Sequence, residues 1–204
     1  MSGITSYIHI DAKAVYLNGV IVCHFQPESG QNWFKQIYTH FGLAYPKFHK
    51  MDSISQAGFL AAEILKRSCE DTLGDYQDDE IALFFGNRVS SVDTDLKFEN
   101  SYRDQGTPSP ALFVYTLPNI VLGEIAIANK WYGENMFVVL PTFAADTFVN
   151  YSQILLNNGA KAVLAGWLDV LSEEVDVFVF LVEEKGIHLN AATLNNCRLK
   201  NINE

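Results

Sequence analysis

The chain has 204 residues, of which 49% are hydrophobic and 19% charged, with a formal net charge of −10. That is the balance of a folded globular chain, long enough for one domain with a sizeable core and short for two. The acidic excess opposes nucleic acid or anionic membrane surfaces as partners through bulk electrostatics. No stretch is long and apolar enough to span a bilayer, and the start, Met1 to Ser6, lacks the basic and apolar regions of a signal peptide, so a cytoplasmic location is expected.

Tyr7 to Leu17 and Val20 to Phe25 flank Asn18-Gly19, the dipeptide that most readily supplies the two positive φ angles of a type I′ turn, so a β-hairpin is expected. Trp33, Phe34, Ile37, Tyr38 and Phe41 then recur at helical spacing up to Gly42, and Tyr45 to Met51 reads as an extended aromatic linker. Ser53-Ile54-Ser55-Gln56 fits a capping box ahead of a helix over about 52–69. Glu70 to Glu80 is acidic and loop-like, and its spacing matches no calcium loop.

Ile81 to Phe85 is a short apolar strand closed by Gly86-Asn87. Arg88 to Pro110 is polar and reads as a long loop, a place where contact with a partner chain is expected. Pro118 and Asn119 open an apolar helix containing Gly123, a residue costly inside a helix and therefore expected where another element's backbone comes close.

Asn135 to Gly166 reads as strand, tight turn, helix and strand. Met136 to Leu140 is a valine-rich run of the kind buried on both faces, and Pro141 stops it. Ala144, Ala145, Phe148, Val149, Ser152, Leu155 and Leu156 share one face of the following helix, with Asp146 on the other, and Asn158-Gly159 ends it. Helix N-termini at such turns stabilise a thiolate or oxyanion, but this turn has no Cys, Ser or Lys. Thr142 is its only hydroxyl, and its obvious use is as an N-cap rather than a nucleophile.

Ala162 to Gly166 is the next buried strand and Asp176 to Val182 the last strong one, while 187–204, rich in Asn, is a weakly specified tail beyond a single domain over 1–186. Cys23, Cys69 and Cys197 are isolated, and the five histidines show no ligand spacing, so no disulfide, metal site or cofactor is expected. Strands alternating with helices predict an α/β layered domain.

Four stretches carry a family resemblance: Tyr45-Pro46-Lys47-Phe48-His49-Lys50-Met51-Asp52; Gly86-Asn87-Arg88; Ser109 to Glu124, including Leu117-Pro118-Asn119-Ile120-Val121-Leu122-Gly123-Glu124; and Asn158-Gly159-Ala160-Lys161-Ala162-Val163-Leu164-Ala165-Gly166. Together they resemble the amino-terminal half of a β-ketoacyl-acyl carrier protein synthase, nearest to those of bacterial aryl polyene or flexirubin pigment pathways. The resemblance implies half of a thiolase-like fold, a layered mixed sheet with a buried central helix. It further implies that Asn119 and Gly123 lie on a helix near a subunit interface, and that Asn135 to Leu140 is the pairing strand.

Two departures from the family bear on activity. The nucleophile position falls at Thr142, or at Phe143 if the turn differs by one, and neither is Cys. The family's histidines belong to its carboxy-terminal half, and the chain stops where that half would begin. The expectation is a non-catalytic subunit of acyl-chain or polyene biosynthesis, a homodimer or a heterodimer with a ketosynthase, with an acyl carrier protein as a further candidate partner. Phe143 is then a candidate plug of the acyl pocket, and Asp146 joins Asn119, Gly123 and Phe143 as an interface or pocket candidate. The alternative is a synthase or acyltransferase activity completed by a partner chain that supplies Cys and His. Lys47, Lys50, Arg88 and Arg103 are the candidates for a basic patch facing an acidic carrier protein.

Overall fold

The computed structural model describes residues 2–24, 33–69, 73–172 and 174–199. Three strands open it: β1 (Gly3–Asp11), β2 (Ala14–Leu17) and β3 (Val20–His24). Asn18 and Gly19 take φ of 52° and 83°, the pair that a type I′ turn requires, and the Asn18 side-chain oxygen also accepts the Tyr7 N–H at 2.8 Å. The segment expected as one strand over Tyr7–Leu17 is broken, however. Asp11 Oδ1 accepts the N–H groups of Lys13 and Ala14 at 2.7 and 2.8 Å, so a second turn makes two hairpins of one.

Helix α1 (Trp33–His40) follows, and a 3₁₀ turn over Pro46–Lys50 stands where an extended linker was expected. Helix α2 (Ser53–Ser68) is capped one residue earlier than the Ser53 capping box predicts: Asp52 Oδ1 accepts the Ser55 N–H at 2.9 Å. Its other oxygen accepts the Thr94 hydroxyl at 3.0 Å, tying α2 to the helix after the next strand. Glu70, Asp71 and Thr72 of the acidic loop lie outside the described residues.

Strand β4 (Ile81–Asn87) is buried throughout. The stretch expected as a long polar loop instead contains helix α3 (Val92–Gln105), which has no apolar stripe to announce it. Local electrostatics hold it: Asp93 and Asp95 sit in its first turn, and Lys97–Asp93 and Arg103–Glu99 pair at i,i+4 over 2.6 and 2.7 Å. The short α4 (Pro110–Val114) and then α5 (Ile120–Asn129) lead into β5 (Asn135–Val139), α6 (Ala145–Asn157), β6 (Ala162–Leu171) and β7 (Glu174–Glu183). The segment beyond Gly186, expected to be weakly specified, forms β8 (Ile187–His188) and α7 (Ala191–Leu199), whose Leu194 and Cys197 are buried in the core. Asn190 accepts the Thr193 N–H at 2.9 Å and starts that helix, one use of the segment's asparagines.

One mixed sheet runs in the order β3-β2-β1-β7-β6-β4-β5, with β8 beside the start of β1. β4 is parallel to β5 and β6, whereas β7 is antiparallel to both β6 and β1. Strands β6 and β7 outrun the short segments expected from the sequence because Trp167, Leu168 and Val170 pair with Phe178, Val177 and Val175. Helices cover both faces: α1, α2 and α5 pack on one, α6 and α7 on the other, giving an α/β/α layering.

Candidate functional site

The turn between β5 and α6 does not use Thr142 as a cap. Ala144 occupies the N-cap position with no side-chain hydrogen bond, and Thr142 is exposed. The helix start is favoured instead by Asp146, exposed in the first turn where a carboxylate meets the positive end of the dipole. Phe143 turns inward. Its ring stacks on Phe148 at 5.1 Å between centroids, meets Phe178 and Trp167 edge-on at 5.8 and 6.1 Å, and lies 4.8 Å beneath the Arg198 guanidinium.

Helix α5 has its polarity inverted. Its one charged residue, Glu124, is 3% exposed and points inward, 2.8 Å from Lys47 Nζ and accepting the Tyr115 hydroxyl at 2.9 Å. Burial, then the bond to Glu124, holds the Tyr115 hydroxyl above its ordinary pKa, so it remains a donor. The outward face carries Asn119, Gly123 and Ile127, all exposed, the last at 58%. Gly123 is not the close approach expected of it, since a Cβ there would meet nothing within 4 Å. The close approach is at Gly58 on α2, where a Cβ would sit 2.5 Å from Val121 Cγ2 of α5.

Strand β5, read from sequence as buried on both faces, is an edge: it pairs with β4 alone among the described strands, and its five residues are half-buried or exposed. Asn119, Gly123 and β5 therefore fall on one uncharged helix face and on the sheet edge that the same helix packs beside. Three of the four candidate cations are engaged by carboxylates, Lys47 by Glu124, Arg88 by Asp169 at 3.0 Å and Arg103 by Glu99, which leaves Lys50 outside these pairs.

Sequence reasoning missed a third cluster. His9 Nε2 lies 3.3 Å from Asp176 Oδ1, and Arg198 donates to Asp176 Oδ2. These residues come from β1, β7 and α7, far apart in the chain, so no local signal marks them. Burial pushes the Asp176 carboxyl up, but the His9 and Arg198 contacts outweigh it and hold the group below 3.8, its ordinary value. A carboxyl depressed in this way adds stability that is complete above the unfolded value and is lost as pH falls through the folded one. Melting temperature therefore drops as pH falls below about 4, and thermal melts between about pH 5 and pH 3 should find that drop smaller in Asp176→Asn.

No family model matches the chain, and no curated protein matches it. Among solved structures, an ishigamide ketosynthase/chain length factor superposes with a TM-score of 0.69 at 16% identity, over 90% of this chain and 62% of that one. The fold is ketosynthase-like. A chain from a ketosynthase in complex with its chain length factor, from Xenorhabdus doucetiae, matches at TM-score 0.61 and 14% identity over 100% of this chain and 92% of that one. A β-ketoacyl synthase from Burkholderia phymatum matches at 0.56 and 14% over 90% and 59%. The chain thus spans less than two thirds of the first and third of these and nearly all of the second. The ketosynthase-like fold accounts for the mixed layered sheet expected from the sequence. Among the described residues no helix is long and apolar enough to cross a membrane.

Proposed function

We propose that the chain is a non-catalytic ketosynthase-like subunit that pairs through β5 and the outer face of α5 with a ketosynthase of acyl-chain or polyene biosynthesis. The observation that carries this reading is the combination of an open sheet edge with a helix whose only charge is turned inward. A helix apolar on its outer face is under-covered by its own domain, and a strand edge beside it offers unpaired N–H and C=O groups to a second chain. Chemistry of its own is disfavoured by the turn, where Thr142 has no hydrogen-bonded base among the described residues and Phe143 is held in an aromatic stack. The likeness to chains from ketosynthase and chain length factor complexes supports the same partner class.

The test is co-purification of the tagged chain from its native cell extract, with mass spectrometry and light scattering of what accompanies it. The expected result is a cysteine-bearing ketosynthase in near-equal amount. Recovery of the chain alone, as a monomer, would sink the reading, and recovery as a homodimer would keep the surface while removing the ketosynthase from the proposal.

A further inference from the structure

The outward surface assigned above to pairing is small for a stable complex. Strand β5 brings five residues and the outer face of α5 brings Asn119, Gly123 and Ile127, against about 20–30 residues a side in a standard interface. The chain adjoining α5 offers more surface of the same kind. From Gly106 to Asn129 the only charged residue is Glu124, which is buried, and within that stretch Phe113, Val114 and Leu117 are 62%, 49% and 58% exposed. Helix α4 has no buried residue, so the chain's own core leaves it uncovered.

Local hydrogen bonds fix where this apolar stretch sits. The buried Tyr115 hydroxyl donates to the buried Glu124 at 2.9 Å, which pins the end of α4 to the inner side of α5. Phe113 and Leu117, two residues to either side of Tyr115, are exposed where Tyr115 is not, as Gly123 is exposed where Glu124 is not. Helix α3 braces the stretch: Ser91 Oγ donates to the Thr116 carbonyl at 2.7 Å, Ser101 Oγ accepts the Ser109 N–H at 3.2 Å, and the Phe98 ring lies 5.6 Å from that of Phe113. Tyr102, one turn beyond Phe98, is exposed as well, while the two cations of α3, Lys97 and Arg103, are paired within the helix.

We infer that α3 and α4 form an arm that grips the same ketosynthase subunit, with Phe113, backed by Phe98, and Leu117 as its apolar anchors. The inference rests on the pairing proposed above and extends it from one strand and one helix to a third surface. Exposed aromatic and aliphatic side chains that are braced by their own chain lose little freedom on docking, so most of the area they bury counts toward affinity. An acidic carrier protein finds no unpaired cation on the arm. The partner that fits is an apolar, uncharged patch on a folded subunit.

The test expresses the tagged full chain, Phe113→Asp and Gly123→Arg in the native cells and quantifies by mass spectrometry the ketosynthase recovered with each. Phe113→Asp should keep the melting temperature of the unchanged chain and lower recovery by about tenfold or more. Recovery with the unchanged chain should persist from about 0.1 M to about 1 M salt, and its loss at the higher salt would assign the contact to charges and overturn the arm. Full recovery with Phe113→Asp, alongside loss with Gly123→Arg, overturns the arm and leaves pairing through α5 standing. Full recovery with both variants, or none with the unchanged chain, removes the pairing and the arm together. Should Phe113→Asp melt early, Leu117→Glu decides in its place, because Leu117 lies exposed between α4 and α5. Light scattering that finds the purified chain to be a dimer, and Phe113→Asp a monomer, would give the arm to a second copy of the chain and overturn the inference.

Discussion

Phe148→Ala lowers the stability of the chain by about 3–5 kcal/mol. Phe148 is fully buried at 0% exposure, and its ring joins Phe84 at 5.0 Å, Phe143 at 5.1 Å and Phe180 at 6.2 Å. These partners come from β4, the turn before α6, and β7, so no single element can collapse into the vacated volume. Most of the cavity term therefore survives relaxation. For a chain of this size, each kcal/mol moves the melting temperature by about 2–4 °C, which puts the expected drop near 10 °C. Ile154→Ala on the same helix is the control: Ile154 is 49% exposed, and its loss stays within about 0.5 kcal/mol. Similar melting temperatures for the two variants would mean that the aromatic cluster contributes no packing of its own.

Gly123→Arg leaves the fold intact and weakens association with the proposed partner by about 30-fold or more, the scale of an interface hot spot. The fold survives because a side chain at this position meets no atom within 4 Å, and a helix gains up to about 1 kcal/mol when a glycine in it is replaced. The complex suffers because a long charged side chain is placed on a face whose neighbours Asn119 and Ile127 are uncharged. Gly58→Leu should behave in the opposite way. It forces α2 against the stiff, buried Val121 and costs about 1–3 kcal/mol of stability without touching the outer face. Light scattering for association and thermal melts for stability separate the two, and a Gly123→Arg protein that still co-purifies a ketosynthase at full yield would remove α5 from the interface.

The two glycines also measure how far a sequence can be read. Gly123 is conspicuous in the sequence as a glycine within an apolar helix and is expected at a close backbone approach, yet a Cβ there would meet nothing within 4 Å. Periodicity does not distinguish which face of a uniformly apolar helix turns inward, and the close approach is at Gly58 instead. Glu124 decides the matter, and its inward direction depends on Lys47 and Tyr115, neither on the same helix. The polar stretch after Arg88 shows the complementary failure. Helix α3 is held by first-turn charges and i,i+4 pairs, which are weak individually and leave no apolar period in so polar a segment.

Local residue patterns specify the Asn18-Gly19 hairpin, the buried strands β4, β6 and β7, helices α1, α2, α5 and α6, and the absence of a cysteine at the turn before α6. Each rests on a local rule: a dihedral preference, a two- or 3.6-residue apolar period, or residue identity at one position. Long-range packing places β5 at the sheet edge, sets Phe143 against the chain's own aromatic core, and brings His9, Asp176 and Arg198 together beside one cavity. Strand order and the convergence of distant side chains are set by which packing arrangement buries the most surface with its polar groups paired. That is a property of the whole chain and leaves no local periodic trace.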